Sequence, residues 1–277
     1  MSKNSADARP EVAVVHLLRR CNDISCFERF IGSYRVHLDP LNHELIIIFK
    51  GFSGDDDADA LAVLNGIEFT RVDVGDRGFD LGPYIEVAQS AHHQYLCFFN
   101  SFSEILADEW LSKLYAALTS AENAGVVSAS GSWETTDDMQ QFPNYHVRTN
   151  AFMISRELFN NLETWEIHEK HDASLFEAGP KSLTAQILAR GLEPYVVDAE
   201  GRVWAKEGWQ SSQTYRTSEQ ERLMVRDNRT QAYQDADTHM RTYLNTLAWT
   251  DQDPGPNPAK RNKLSRRLRR WVGLSRA

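Results

Sequence analysis

The sequence predicts an α/β domain built on a mostly parallel sheet, and three observations carry that prediction. Short, continuously apolar runs recur through residues 12–128, as expected of strands buried on both faces. Segments with helical apolar periodicity separate them, at a spacing of roughly 25 residues. The composition, 42% apolar and 25% charged in 277 residues, is that of a folded chain long enough for a substantial core.

The elements follow in order. Glu11-Val-Ala-Val-Val-His-Leu-Leu18 is the first strand, and residues 23–34 form a helix with Ile24, Phe27, Phe30 and Ile31 on one face. Residues 44–49 are a second buried strand, ended by Lys50-Gly-Phe-Ser-Gly54. The helix expected over 55–64 opens with acidic residues, which suit the positive end of the helix dipole. A strand over 67–74, a helix over 79–91 and a strand over 95–99 come next. Residues 107–121 are helical, with Trp110, Leu111, Leu114 and Leu118 on one face, and 125–128 form a fifth strand. Parallel crossovers of this kind are right-handed and bind ligands beyond the carboxyl ends of the strands. That rule nominates residues 16–20, 50–54, 73–80, 100–104 and 128–134. Neither a GxGxxG after the first strand nor a P-loop is present, which argues against a dinucleotide oxidoreductase or a P-loop kinase.

The second half has a different texture. Residues 130–149 read as a long polar loop, 150–154 as a strand, and Ser155 as the cap of a helix over 156–162. A helix over 182–190 ends at Gly191, and 193–198 form another strand. Residues 199–216 make a Trp-bearing loop, and a helical extension begins at about 217 and runs over 218–246 with an interruption. Asp-Gln-Asp-Pro-Gly-Pro-Asn-Pro at 251–258 cannot continue a helix. The expected organisation is a domain over 1–249, a Pro/Gly linker over 250–259 and a tail over 260–277.

Charge divides along the same boundary. The whole chain carries 30 basic and 39 acidic residues, a formal −9, but the last eighteen positions hold eight basic residues and no acidic one. The preceding body therefore carries −17. On a helix, Leu264, Leu268, Trp271 and Val272 share one face and arginines fill much of the rest, the pattern of a helix lying on an anionic membrane surface. Nucleic acid is excluded as the expected partner because phosphate repels the acidic body. A solvated tail without a partner is the remaining reading. No apolar stretch is long enough to span a bilayer, the first residues lack a secretory signal, and three cysteines at non-zinc spacing fit a reducing compartment. The expected location is the cytoplasm, peripheral on the inner face of its membrane.

Three segments carry a family resemblance: Asp76-Arg-Gly-Phe-Asp-Leu-Gly-Pro-Tyr84; Leu96-Cys-Phe-Phe-Asn-Ser-Phe-Ser103 with Trp110-Leu111; and Arg148-Thr-Asn-Ala-Phe-Met-Ile-Ser-Arg-Glu-Leu-Phe159. In order and spacing they resemble bacterial glycosyltransferases of the GT-A fold, near the inverting family that builds surface polysaccharides, in its rhamnan-synthesis-like branch. The resemblance covers about residues 12–200 and implies a GT-A-like (Rossmann-like) mostly parallel sheet flanked by helices, with the helical C-terminal extension beyond it. It implies transfer of a sugar from a nucleotide-sugar donor to a polysaccharide or lipid-linked acceptor. It also implies Mn2+ or Mg2+ at an Asp-x-Asp strand end. Here that motif is absent: Asn100 stands at the ligand position, Phe102 follows where a second carboxylate often sits, and Glu104 is the nearest substitute. No metal ligand and no cofactor is assigned.

The chemistry needs a carboxylate to take the acceptor proton and cations or donors for the departing diphosphate. The resemblance places the base at Glu177, with Glu134, Asp137 and Asp138 in reserve. Asp73 and Asp80 are assigned to donor hydroxyls, and Asn100 and Ser101 to the donor at the strand end, Asn100 having a turn cap as its alternative role. Gly78 and Gly82 either let the backbone approach the donor or simply shape the turn. Arg148 either pairs with the diphosphate or bridges a carboxylate. Trp133 and Asn150 are assigned to the acceptor, and sugar stacking by Trp133, Trp204 or Trp209 competes with ordinary packing. Two rivals stay open: a catalytically silent glycan-binding or scaffold relative, for which the missing Asp-x-Asp speaks, and nucleotidyl transfer, against which the lack of a phosphate loop after the first strand speaks.

Overall fold

The first apolar run becomes β1 (Val12–Arg19), buried from Val12 to Leu18 because helices cover both faces of the sheet. Asp23 caps α1 (Ile24–Val36) by accepting from the Ser25 amide. β2 (His43–Lys50), α2 (Ala58–Val63), β3 (Thr70–Val74), α3 (Leu81–Ser90) and β4 (Tyr95–Phe99) continue the alternation. A two-residue β5 (Glu104–Ile105), α4 (Trp110–Ser120) and β6 (Ala124–Ser128) follow. β7 (Gly131–Ser132) and β8 (His146–Val147) pair and tie together the ends of the polar loop. Then come β9 (Ala151–Ser155), α5 (Arg156–Asn160), α6 (Lys170–Ala178), α7 (Leu183–Ala189), β10 (Glu193–Val197) and β11 (Val203–Trp204). A 3-10 helix (Lys206–Ser212), β12 (Val225–Arg226), α8 (Asn228–Gln234) and α9 (Thr238–Trp249) come last among the described elements. This computed structural model describes residues 10–54, 56–135 and 141–259. The amphipathic tail expected over 260–277 lies outside the described residues, as do Asp137 and Asp138.

The central sheet has eight strands in the order β11-β10-β6-β9-β4-β1-β2-β3. β3, β2, β1 and β4 are parallel neighbours, and β6 is parallel to β10. The mostly parallel α/β class expected from the sequence is the fold observed. The reversal that matters is β9, which lies between β4 and β6 and runs antiparallel to both. Its first residue, Ala151, therefore pairs with Phe99, the last residue of β4. Residues 148–150 are thereby delivered to the edge where the parallel strands end. Alternation along each strand feeds two cores: Val12 and Val14 pack with Phe27, Phe30 and Trp110, while Ala13 and Val15 pack with Tyr84, Phe159 and Trp249.

Several boundaries differ from expectation, each for a local reason. The helix expected over 218–246 is interrupted at its start. Gln213, Arg216, Ser218 and Gln220 have φ of 57, 44, 48 and 55°, values through which a right-handed helix cannot run. The chain then pairs β12 with β5, and only α8 and α9 are helical, capped by Asp227 and Asp237. α3 starts at Leu81 rather than at 79, because Gly78 and Phe79 turn the chain with φ of 79 and 47°. α6 is an addition that the sequence reading placed outside any helix; a Glu169–Asp172 capping box starts it. Residues 250–257 contain neither helix nor strand. Among the described residues no helix is long and apolar enough to cross a membrane.

Candidate active site

A cleft of about 350 Å³ opens at the carboxyl edge of the sheet. Its walls come from six places: Arg19 at the end of β1, Asp80 and Tyr84 at the start of α3, and Asn100 to Phe102 after β4. Arg148 to Asn150 before β9, and α6 together with the first turn of α8, complete it. Arg19, Arg148, Lys170 and Arg229 bring four cations to the cleft, against the three carboxylates Asp80, Glu177 and Asp227. In a chain of net charge −9 this is a local excess of positive charge.

Glu177 stands in the last turn of α6, half-buried, and its Oε2 accepts a hydrogen bond from Thr149 Oγ1 at 3.1 Å. Its charge is the largest influence on Arg229, whose pKa it raises. Asp80 shares the cleft: burial, then the field of Glu177, pushes its carboxyl above the ordinary carboxylate range, with Lys50 and Arg19 opposing. Asp80 and Glu177 thus bring two carboxylates to one cleft. Arg19 is held in place by Asp76, at 3.0 Å from Nε, and Asp76 also takes Lys50 Nζ at 3.1 Å.

Arg148 is the most enclosed cation of the site. Its Nη2 lies 2.5 Å from Asp227 Oδ2, with side-chain exposures of only 4% and 1%. Its guanidinium also lies 4.3 Å from the centre of the Tyr215 ring. Burial works against its charge, but Asp227, Tyr215 and Glu177 outweigh it and the pKa stands above the ordinary value. Its Nε and Nη1 are buried and have no hydrogen-bond partner among the described residues. Asn150 Nδ2 and the Tyr84 hydroxyl, which also line the cleft, are likewise unpartnered. Buried donors without acceptors are costly, and these belong to residues that line one cleft, which suits an anionic or oxygen-rich occupant.

The strand end that the resemblance assigns to a metal is built differently. Asn100 Oδ1 accepts from the Phe102 amide at 2.9 Å and from Ser103 Oγ at 3.1 Å, so it closes a turn. Phe102 offers no oxygen from its side chain, and Glu104 pairs with Arg226 at 3.3 Å across β5 and β12. A hard divalent cation wants free carboxylate oxygens, and among the described residues no group of three or more His, Cys, Asp or Glu is arranged to hold one. The residues at this strand end do not fit the metal.

Of the residues singled out from sequence, Glu177, Asp80, Asn100, Ser101, Arg148 and Asn150 line the cleft together. Asp73 does not: it sits on edge strand β3, gripped by Arg71 at 2.8 and 2.9 Å. Gly78 and Gly82 pack on each other, the Gly82 amide donating to the Gly78 carbonyl at 2.8 Å, and a Cβ on Gly78 would meet the Gly82 Cα at 3.0 Å. Neither lines the cleft; together they shape the turn that presents Asp80. Trp133 lies in an aromatic cluster, 5.3 Å from Trp249, with its Nε1 donating to the Lys206 carbonyl. Trp209 is fully buried, and Trp204 donates to Asp198 at 2.9 Å. The sequence reading missed Lys170, Asp227 and Arg229, and it covered Arg19 only within the nominated strand end 16–20. Asp227 carries an N-cap signal before a helix, which marks an element start but says nothing of a partner 79 residues away.

No family model and no curated protein matches the chain. Solved structures with a similar course include a mannosyltransferase from Pyrobaculum calidifontis in complex with GDP-Man and Mn2+, at 12% identity and a TM-score of 0.47 over 75% of this chain and 61% of that one. Glucosyl-3-phosphoglycerate synthase from Mycobacterium tuberculosis, in complex with Mn2+, UDP and phosphoglyceric acid, gives 16% identity and 0.43 over 61% and 64%. CMP:2-keto-3-deoxy-manno-octonic acid synthetase complexed with CTP gives 10% and 0.44 over 67% and 88%. The chain spans less than two thirds of the mannosyltransferase and of the glucosyl-3-phosphoglycerate synthase. These likenesses concern the arrangement of sheet and helices alone.

Proposed function

We propose that the protein is a glycosyltransferase that moves a sugar from a nucleotide-sugar donor to a glycan or lipid-linked acceptor in surface-polysaccharide synthesis. The observation that carries this reading is Glu177, hydrogen-bonded by Thr149 and set beside Arg148 and Arg229 in a cleft at the carboxyl edge of the sheet. In the reaction, Glu177 takes the proton of the acceptor hydroxyl. The acceptor oxygen bonds to the anomeric carbon as the bond from that carbon to the diphosphate oxygen breaks. The electron pair leaves with the diphosphate, whose charge Arg148 and Arg229 take up. A single displacement of this kind inverts the anomeric centre. Asp80, Asn100 and Ser101 are assigned to donor hydroxyls and Asn150 to the acceptor side. The basic tail of residues 260–277 holds the enzyme to an anionic membrane, where lipid-linked acceptors reside.

Calorimetry with UDP-, GDP- and dTDP-sugars tests the donor. Glu177→Gln should retain donor affinity and lose transfer by roughly 10²–10⁴-fold, the usual worth of a positioned base. Near-normal turnover in that variant excludes Glu177 as the base. The silent-relative reading rests on Asn100 standing at the metal-ligand position, and it prevails if no donor binds.

A further inference from the structure

We propose that this cleft binds a diphosphate through guanidinium and ammonium groups alone, Arg148, Arg229 and Lys170 occupying the role that a divalent cation would fill. The inference deepens the transferase reading, because it assigns the group that holds the donor's leaving end. Three observations carry it. The strand end after β4 does not fit a cation, since Asn100 Oδ1 is engaged by Phe102 and Ser103, and Glu104 by Arg226. Arg148 is nine-tenths or more buried, lines the cleft, and keeps Nε and Nη1 without a partner while Asp227 fixes its third nitrogen. Arg229 and Lys170 line the same cleft from α8 and α6 and make no ion pair among the described residues.

The division of labour follows from these partners. Asp227 neutralises one side of Arg148 and locks its plane, leaving Nε and Nη1, on separate edges of the guanidinium, each with an N–H for a single oxygen. Arg229 follows Asp227 by two residues, and its backbone amide donates to Asp227 Oδ1 at 3.1 Å. One carboxylate thus anchors the inner arginine and the segment that carries the outer one. Glu177 is the strongest electrostatic influence on Arg229, ahead of Arg148 and Glu134. A bound diphosphate would take Arg229, and Glu177 would keep its hydrogen bond from Thr149. Asn150 Nδ2 and the Tyr84 hydroxyl are further donors lining the cleft for uncharged oxygens.

Inorganic pyrophosphate, titrated calorimetrically into the full chain in EDTA and again with Mn2+, is the test. Binding is expected in EDTA, with no gain from Mn2+. Arg229→Gln should weaken it about tenfold, the loss of one charge-assisted hydrogen bond. Lys170→Gln should weaken it by a smaller factor, and raised salt should weaken wild-type binding. Both substitutions are at exposed positions, so folding is not at stake. Binding that requires Mn2+, no binding in either buffer, or an unchanged affinity in Arg229→Gln overturns the proposal. The two readings separate cleanly. If pyrophosphate binds in EDTA and no nucleotide-sugar does, sugar transfer fails and the diphosphate site stands. Sugar transfer that depends on Mn2+ has the opposite consequence.

Discussion

Asp227 is the residue whose removal tests the architecture of the cleft most directly. Its Oδ2 lies 2.5 Å from Arg148 Nη2, both side chains being buried. Its Oδ1 accepts from the amides of Arg229 and Thr230 and caps α8. Asp227→Ala leaves a buried guanidinium without its carboxylate, a change that costs about 3–5 kcal/mol, and loss of the cap adds about 1 kcal/mol. Asp227→Asn keeps an acceptor for the cap while deleting the charge, so it isolates the ion pair, with an expected loss of about 3 kcal/mol. Urea unfolding followed by circular dichroism reads both variants. Acid removes the same charge by protonation. Burial raises the Asp227 pKa, but Arg148 and the hydrogen bonds of Thr230 outweigh it, so the folded value lies below the ordinary one. The stabilisation is therefore complete above the ordinary carboxylate range and is lost as pH falls through the lowered folded value. The gap between wild type and Asp227→Asn should close in strong acid. A loss under about 1 kcal/mol for Asp227→Ala, the worth of a solvated pair, would refute the reasoning, and so would a gap that widens on acidification.

Two further outcomes are expected. His16 is fully buried in β1 with neither ring nitrogen partnered among the described residues, its ring stacked 3.7 Å from Phe30, and burial lowers its pKa from 6.5 to about 3. The unfolded chain takes up that proton first, so stability is full above pH 6.5 and falls as pH drops toward 3, by up to about 1.4 kcal/mol per unit. His16→Leu should flatten this slope, and identical slopes for the two proteins in denaturant titrations across that range rule the account out. Deleting residues 260–277 should abolish sedimentation with phosphatidylserine vesicles, and undiminished sedimentation of the shortened chain would dismiss the membrane role of the tail.

Much of the scaffold was legible because its signals are local. The run from Val12 to Leu18 could be read as a doubly covered strand from its composition. Ser155 and Ser182 accept from the amides three residues on, as cap residues do, and Gly191 takes φ of 73° after α7. The left-handed backbone at Gln213, Arg216, Ser218 and Gln220 was not legible, since nothing in those side chains announces it; the surrounding contacts impose it. α6 escaped notice because it starts with polar residues and its buried face is short, Phe176 being its buried residue. The candidate site was legible in part for the same reason. Asp80, Asn100, Arg148 and Glu177 sit beside strand ends or in quotable motifs, whereas Arg229 and Lys170 are ordinary exposed basic residues until the fold brings them to the cleft.

By itself, then, the sequence determined the alternation of strand and helix, the places where the chain must stop or turn, and the split between an acidic body and a basic tail, because each depends on neighbours along the chain. Only the tertiary structure decided that β9 enters the sheet reversed between β4 and β6, which sets Arg148 and Asn150 against Asn100 at one edge. Only it decided that Arg148 would meet Asp227. Such pairings join residues far apart in sequence, and no local propensity encodes them; they follow from which surfaces can be buried together once the sheet has formed.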